Sequence, residues 1–167
     1  VLAVSAAERA HTLSLNIERL RAMRQRISLD AIVVNIPAFA LTVFANGEPA
    51  WHTRVIVGKP SWRTPTFDSA IVRVELNPYW NVPPSIARSE TIPRLRRDPA
   101  YFTQQGFEFV SNGKAVTTLS DANLDAVLNG RMRIRQRPGP MNALGDIKFV
   151  FPNNQNIYLH HTPTPQL

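Results

Sequence analysis

Two Asn-Gly pairs, Asn46-Gly47 and Asn112-Gly113, each lie between short runs of β-branched and aromatic residues. This is the strongest short-range hairpin signal, because a two-residue type I′ loop needs φ > 0 at both central positions, which Asn and Gly adopt at little cost. The flanking runs, Phe39 to Ala45 with Ala50 to Val57 and Phe107 to Val110 with Ala115 to Thr118, are predicted to pair as antiparallel strands. Ile32 to Ile36, Ala70 to Leu76, Ile147 to Phe151 and Ile157 to His160 read as further strands, the last two joined by a Pro152-Asn153-Asn154 turn.

Before these runs the period is that of a helix. Ala6, Ala10, Leu13, Ile17 and Leu20 recur at spacings of 4, 3, 4 and 3, predicting an amphipathic helix from Ala6 to Ile27. Ser5 and Glu8 have the spacing of a capping box, and Arg19, Arg21, Arg24 and Arg26 sit where cations suit the helix dipole. Such a basic helix can lie on a membrane, but packing on its own domain or linking to a preceding region is the plainer expectation. Between Asn77 and Gln105 the strand pattern breaks, since Pro78, Pro83 and Pro84 remove ladder donors. Short helical pieces are expected at Ser85 to Ser89, Ile92 to Arg97 and Pro99 to Gln105, the last capped by Asp98 and stopped by Gly106. A proline-rich insertion of this length reads as functional cover. Ser120 to Leu128 is a further short helix closed by Asn129-Gly130. Gly58-Lys59 is not a phosphate loop, because the G-x-x-x-x-G-K pattern is absent and no helix follows; the loop is proline-bounded, with Gly58 able to take φ > 0.

The 167 residues carry 19 Lys plus Arg against 12 Asp plus Glu, a net charge of +7, and all but Lys59, Lys114 and Lys148 of the basic residues are arginine. Arginine favours planar recognition of carboxylate or phosphate. Arg131, Arg133, Arg135 and Arg137 alternate strictly, so in a strand they share one face. That stripe fits either a nucleic-acid surface or, as the plainer expectation, a solvated face partly paired with carboxylates. No apolar run approaches the roughly 18 residues of a membrane span. The start at Val1, without a leader-like segment, reads as an internal cut in a longer protein. There is no cysteine, which excludes disulfides, Cys-ligated zinc and any cysteine nucleophile within these residues.

The four histidines are His11, His52, His160 and His161. His160 and His161 point to opposite faces of a strand, and no H-E-x-x-H or acidic cluster supports a metal site; no G-x-S-x-G marks a serine nucleophile. From the residues alone, a histidine ending a strand is more often structural.

Five ordered blocks change the reading: Ile32 to Phe44 (I-V-V-N-I-P-A-F-A-L-T-V-F), Val57 to Phe67 (V-G-K-P-S-W-R-T-P-T-F), Asn77 to Ala87 (N-P-Y-W-N-V-P-P-S-I-A), Arg135 to Phe149 (R-Q-R-P-G-P-M-N-A-L-G-D-I-K-F) and Ile157 to Pro163 (I-Y-L-H-H-T-P). Together they resemble the catalytic domain of the L,D-transpeptidases, the YkuD family, in its large Gram-negative, YcbB-like branch. The resemblance runs from about Arg19 to Leu167. It implies a mainly β fold, a β-sandwich or barrel of that type, with an N-terminal helix and a short helical lid insertion. The implied organisation is a helix or linker at 1–28 and a catalytic domain at 29–167, with 77–106 as the lid.

The chemistry implied is acyl transfer on peptidoglycan: a cysteine thiolate attacks the carbonyl before D-Ala of a tetrapeptide stem and passes the acyl group to a side-chain amine, giving 3→3 cross-links. A thiol of pKa about 8.5 is mostly protonated at neutral pH and needs a base such as imidazole. His160 matches the family's histidine; His161 does not. The family's Ser/Thr-x-Gly-Cys block has no match in the seven residues after His160, so these residues are expected to be C-terminally incomplete and inactive alone, with loss of a sheet edge making them poorly soluble or partner-dependent. A shortened, non-catalytic peptidoglycan-binding relative is the alternative. The resemblance points to Tyr158, Trp80, Asn142 and Gly139 as substrate contacts, with Arg63 a weaker candidate for stem carboxylates. It implies no metal and no cofactor, peptidoglycan stem peptides as partners, carbapenem β-lactams as inhibitors of the complete enzyme, a periplasmic location, and no nucleic-acid partner or transmembrane segment.

Overall fold

The computed structural model describes residues 4–24 and 28–163 and divides the chain into two compact units, 1–66 and 67–167. Helix makes up about 29% and strand about 27% of the chain. The expected N-terminal helix is present, but the predominance of β-structure is weak. Three open antiparallel sheets are formed among the described residues, and none closes into a barrel.

In the first unit the helix α1 spans Ala6–Arg24. Its start is the predicted capping box: the Ser5 amide and hydroxyl each donate to Glu8 Oε2 at 2.9 Å, and the Glu8 amide donates back to Ser5 Oγ at 3.2 Å. These bonds hold the Glu8 carboxyl below its usual range. The expected packing of the apolar stripe is not seen. Leu13 and Leu20 are each 62% exposed, so capping and local bonding, not burial, support this helix. The predicted continuation to Ile27, with Arg26, falls at residues 25–27, outside the described residues.

Strands β1 (Ala31–Asn35), β2 (Ala40–Ala45) and β3 (Glu48–Arg54) follow as an antiparallel meander. Asn46 and Gly47 have φ of 53° and 82°, the type I′ values the sequence requires. The register shifts between Val43 and Phe44, where Phe44 faces Pro49, a residue with no donor to give. Gly58 does not use its freedom to take φ > 0, since its φ is not in the left-handed region. It is there for close approach: a Cβ would lie 2.2 Å from the Trp62 carbonyl oxygen.

The second unit holds the core. β4 (Arg73–Leu76) precedes the proline-broken stretch, which contributes a two-residue strand, β5 (Trp80–Asn81), at a sheet edge, where missing donors are tolerated. Helical turns follow: α2 (Pro84–Ile86), a π-helical turn (Ala87–Thr91), α3 (Ile92–Arg97) and α4 (Ala100–Gln104), ended by Gly106 at φ 66°. Then come β6 (Phe107–Ser111) and β7 (Lys114–Val116), joined by Asn112 and Gly113 at φ 48° and 78° in the second predicted I′ hairpin. Helix α5 (Asp121–Leu128) is capped by Ser120, whose Oγ accepts from the Asn123 amide. β8 (Arg133–Gln136), β9 (Ile147–Val150) and β10 (Leu159–His160) complete the order. One sheet runs β5-β8-β6-β7 and another β10-β9-β4.

Burial explains why the helical stretch folds as it does. The core cluster comprises Val82, Ala87, Ile92, Leu95, Phe102, Phe107, Phe109, Leu124 and Ile134. Five of these nine come from 77–106, which packs its apolar residues on the inner face of the β5-β8-β6-β7 sheet, with Phe102 stacked on Phe109 at 5.1 Å. The opposite face of β8 carries arginine, but only Arg133 and Arg135 fall in the strand. Arg135 is paired across the ladder with buried Glu108 at 2.6 Å and stacks on Tyr79 at 4.1 Å. The stripe is therefore partly neutralised, as the plainer expectation held. No helix of the described residues is long and apolar enough to cross a membrane.

If 77–106 is core and not loose cover, truncating Leu95, which is fully buried, must leave a cavity. Leu95→Ala is expected to cost about 2–5 kcal/mol in denaturant unfolding; a loss below about 1 kcal/mol would show that this segment carries little of the core.

Candidate active site

Four of the candidate site residues, Gly139, Asn142, Tyr158 and His160, lie on or beside two elements, a pinned loop and a short strand. The loop between β8 and β9 (137–146) contains Pro138, Gly139 and Pro140 and cannot satisfy its backbone through ladders. Two buried amides, 1% and 2% exposed, do so instead. Asn142 Nδ2 donates to the Pro78 and Arg137 carbonyls at 2.9 Å, and its Oδ1 accepts the Leu144 amide at 2.8 Å. Gln136 Nε2 donates to the Gln105 carbonyl at 2.9 Å and the Met141 carbonyl at 2.5 Å, and its Oε1 accepts the Ala143 amide at 2.9 Å. Asn142 thus fixes the loop and offers no surface to a ligand. Gln136 plays the same part; the alternation that puts the arginines on one face puts Gln136 on the other with Ile134, but the carbonyls it meets there come from segments distant in sequence and leave no local sign.

The strand is β10, at the edge of the β10-β9-β4 sheet. A loop ordered by Asn153 precedes it; this side chain donates to the Phe151 and Ile157 carbonyls and accepts the Gln155 and Ile157 amides. Ladder partners are Leu159 with Phe149 and His160 with Lys148, and the His161 amide donates to the Ile147 carbonyl at 2.9 Å. Tyr158 and His160, two residues apart, share a face with Lys148. On the far side of β9, Lys148 is paired with Glu75 of β4.

His160 is exposed, and its Nδ1 lies 2.7 Å from the His161 carbonyl oxygen. A carbonyl can only accept, so Nδ1 carries the hydrogen in this contact and the neutral ring keeps its acceptor lone pair at Nε2. That is the tautomer a proton-abstracting histidine needs. Around it stands a charged row. Lys148 Nζ is 3.2 Å from Glu75 Oε2 and 3.9 Å from the centre of the Tyr158 ring, and Arg73 Nη2 is 2.6 Å from Glu75 Oε1. The Arg73 guanidinium holds the Glu75 carboxyl below the usual carboxylate range; partial burial opposes this and Lys148 reinforces it.

His161 takes the other side, as expected. It lines an open depression of about 370 Å³ with Gly139, Pro140, Gly145, Asp146 and Pro163, and its Nδ1 is 3.8 Å from Asp146 Oδ2. Gly145, at φ 61°, permits this approach, since a Cβ there would meet the His161 ring and backbone at 2.7 to 3.0 Å. The structure therefore brings Tyr158 and His160 together and sets Gly139 beside His161. Trp80 packs half-buried against the core cluster. Arg63, in the first unit, is exposed and bonds the Pro60 carbonyl at 3.3 Å.

Residues 29–167 match the family model of the L,D-transpeptidase catalytic domain, YkuD. A Haemophilus influenzae protein named "Putative L,D-transpeptidase" is 34% identical over 152 residues, covering 90% of this chain and 30% of that protein. The chain thus spans less than a third of this relative's length. The crystal structure of a probable carnitine operon oxidoreductase from Brucella melitensis is similar at a TM-score of 0.48 and 18% identity, over 83% of this chain and 66% of that one, too remote to carry an argument.

Two outcomes follow from this geometry. Asn142→Ala strands buried carbonyls and is expected to cost about 1–3 kcal/mol in chemical denaturation; a neutral result would mean the loop is held without it. Glu75 has a depressed folded-state value, so its contribution is complete above the unfolded value of about 4.3 and is lost as pH falls through the folded one. With Arg73 61% exposed, the effect is at most about 1 kcal/mol. The stability difference between wild type and Glu75→Gln should be constant above about pH 5 and shrink as pH falls below it, and a difference that stays constant through the acid range would remove the ion pair from the account.

Proposed function

The chain belongs to the L,D-transpeptidase catalytic-domain family, and from that premise we propose that it is part of a peptidoglycan L,D-transpeptidase in which His160 is the general base. The observation that carries the proposal is the His160 contact: Nδ1 engaged by a carbonyl, Nε2 left to accept, on an exposed strand end.

In the proposed reaction Nε2 takes the proton of a cysteine thiol. The thiolate attacks the carbonyl before D-Ala of a tetrapeptide stem, and the carbon–nitrogen bond breaks as the imidazolium returns the proton to the leaving D-Ala amine. The side-chain amine of a second stem then attacks the thioester, giving the 3→3 link and releasing the thiol. Backbone N–H donors at the carbonyl oxygen would carry the charge of the tetrahedral intermediate. Tyr158, on the His160 face, is proposed to flank the donor stem, and Gly139 to border the approach from the depression. Trp80 and Asn142 support that surface from within. Residues 29–167 are proposed as the domain region, with 77–106 as a cover whose inner side is part of the core. A periplasmic setting and acylation of the complete protein by carbapenems belong to the same reading, as does the absence of a nucleic-acid partner.

The 167 residues contain no cysteine, so on this reading the thiol comes from chain outside them. A peptidoglycan-binding relative without catalysis is the second reading. Mass spectrometry of the complete protein after exposure to a carbapenem separates the two. A covalent adduct that His160→Ala abolishes and His161→Ala retains is expected; no adduct on the wild type would favour the binding module.

A further inference from the structure

We propose that Lys148 is a positioning residue that holds the Tyr158 and His160 face in place. β10 is a two-residue strand on a sheet edge, and a ladder so short is prone to local opening. Because the His161 amide bonds the Ile147 carbonyl, the adjoining His160/Lys148 pair is the non-hydrogen-bonded one, in which facing side chains come closest. Backbone bonding at this pair is therefore absent where the imidazole most needs a fixed support.

Lys148 supplies that support from the middle strand. Its side chain is 13% exposed, so most of it is removed from water and its ammonium is held by protein partners. Glu75, across β9 from His160, provides the counter-charge, and Arg73 anchors the second carboxylate oxygen. On the other side the ammonium faces the Tyr158 ring, a contact strengthened by desolvation. One cation thus ties β4, β9 and the residue that leads into β10. The clamp rests on the proposed function only for what His160 does once held.

Native-state hydrogen exchange on the protein reads the clamp directly. Lys148→Met is expected to speed exchange of the His161 amide about tenfold while buried β6 amides are unchanged, and Lys148→Arg, which keeps the cation, is expected to restore protection. An unchanged His161 amide, or a loss shared equally by β6, overturns the proposal, the latter because it marks a general loss of stability. In the complete protein Lys148→Met should slow carbapenem acylation about tenfold, with Lys148→Arg recovering the rate; acylation at the wild-type rate would deny the positioning role. If the wild type is not acylated at all, the transpeptidase reading fails, and exchange alone decides the clamp.

Discussion

Proline removes a backbone donor wherever it stands, and this chain has 14 of them, many in the stretches that border the site. Carbonyls in such stretches have few neighbouring N–H groups to pair with, so buried side-chain amides take their place. Asn142 and Gln136 between them accept or donate at Pro78, Gln105, Arg137, Met141, Ala143 and Leu144. These two residues join three regions distant in sequence: the turn before β5, the end of α4 and the β8–β9 loop. The loop beside the depression, from Gly139 to Asp146, is held by that pairing together with backbone bonds from the Asn142 amide to Gly139, the Gly145 amide to Asn142 and the Asn77 amide to Asp146.

The stretch after β4 shows how composition and packing can point different ways. Prolines, aromatics and arginines make 77–106 read as surface cover. Its apolar residues are spaced on short helical turns, however, and they close over Phe107, Phe109 and Ile134. Its arginines remain outside, where Arg94 lies over the Tyr101 ring and Arg96 pairs with Asp125. The same division holds on β8, with Ile134 and Gln136 inward and Arg133 and Arg135 outward. A mixed segment can thus be both core and cover, one role on each face.

At the site, His160 was legible only through the resemblance of its block to the family's histidine, and Tyr158 through its place two residues before it, on the same strand face. Lys148 and Glu75 were not, since Lys148 is a lone charge in an apolar run, Glu75 stands two residues from Arg73, and the meeting of the two depends on β9 lying between β4 and β10. Sequence distance hides such a row entirely. Trp80 and Asn142 show the converse. Their positions beside the family blocks were legible, but the direction of each side chain was not, and both point inward.

What the sequence by itself determined are the local devices: the Ser5–Glu8 capping box, the two Asn-Gly turns and the Gly106 stop, each fixed by the conformational freedom or hydrogen-bonding reach of one or two residues. It also determined the family, through blocks held in order along the chain. Tertiary structure alone decided the balance of helix and strand, the inward turn of the proline-rich segment, and the row Arg73–Glu75–Lys148–Tyr158 beside His160. Those outcomes depend on which strands become neighbours and which polar atoms lose water, and neither is a property of any one stretch of the chain.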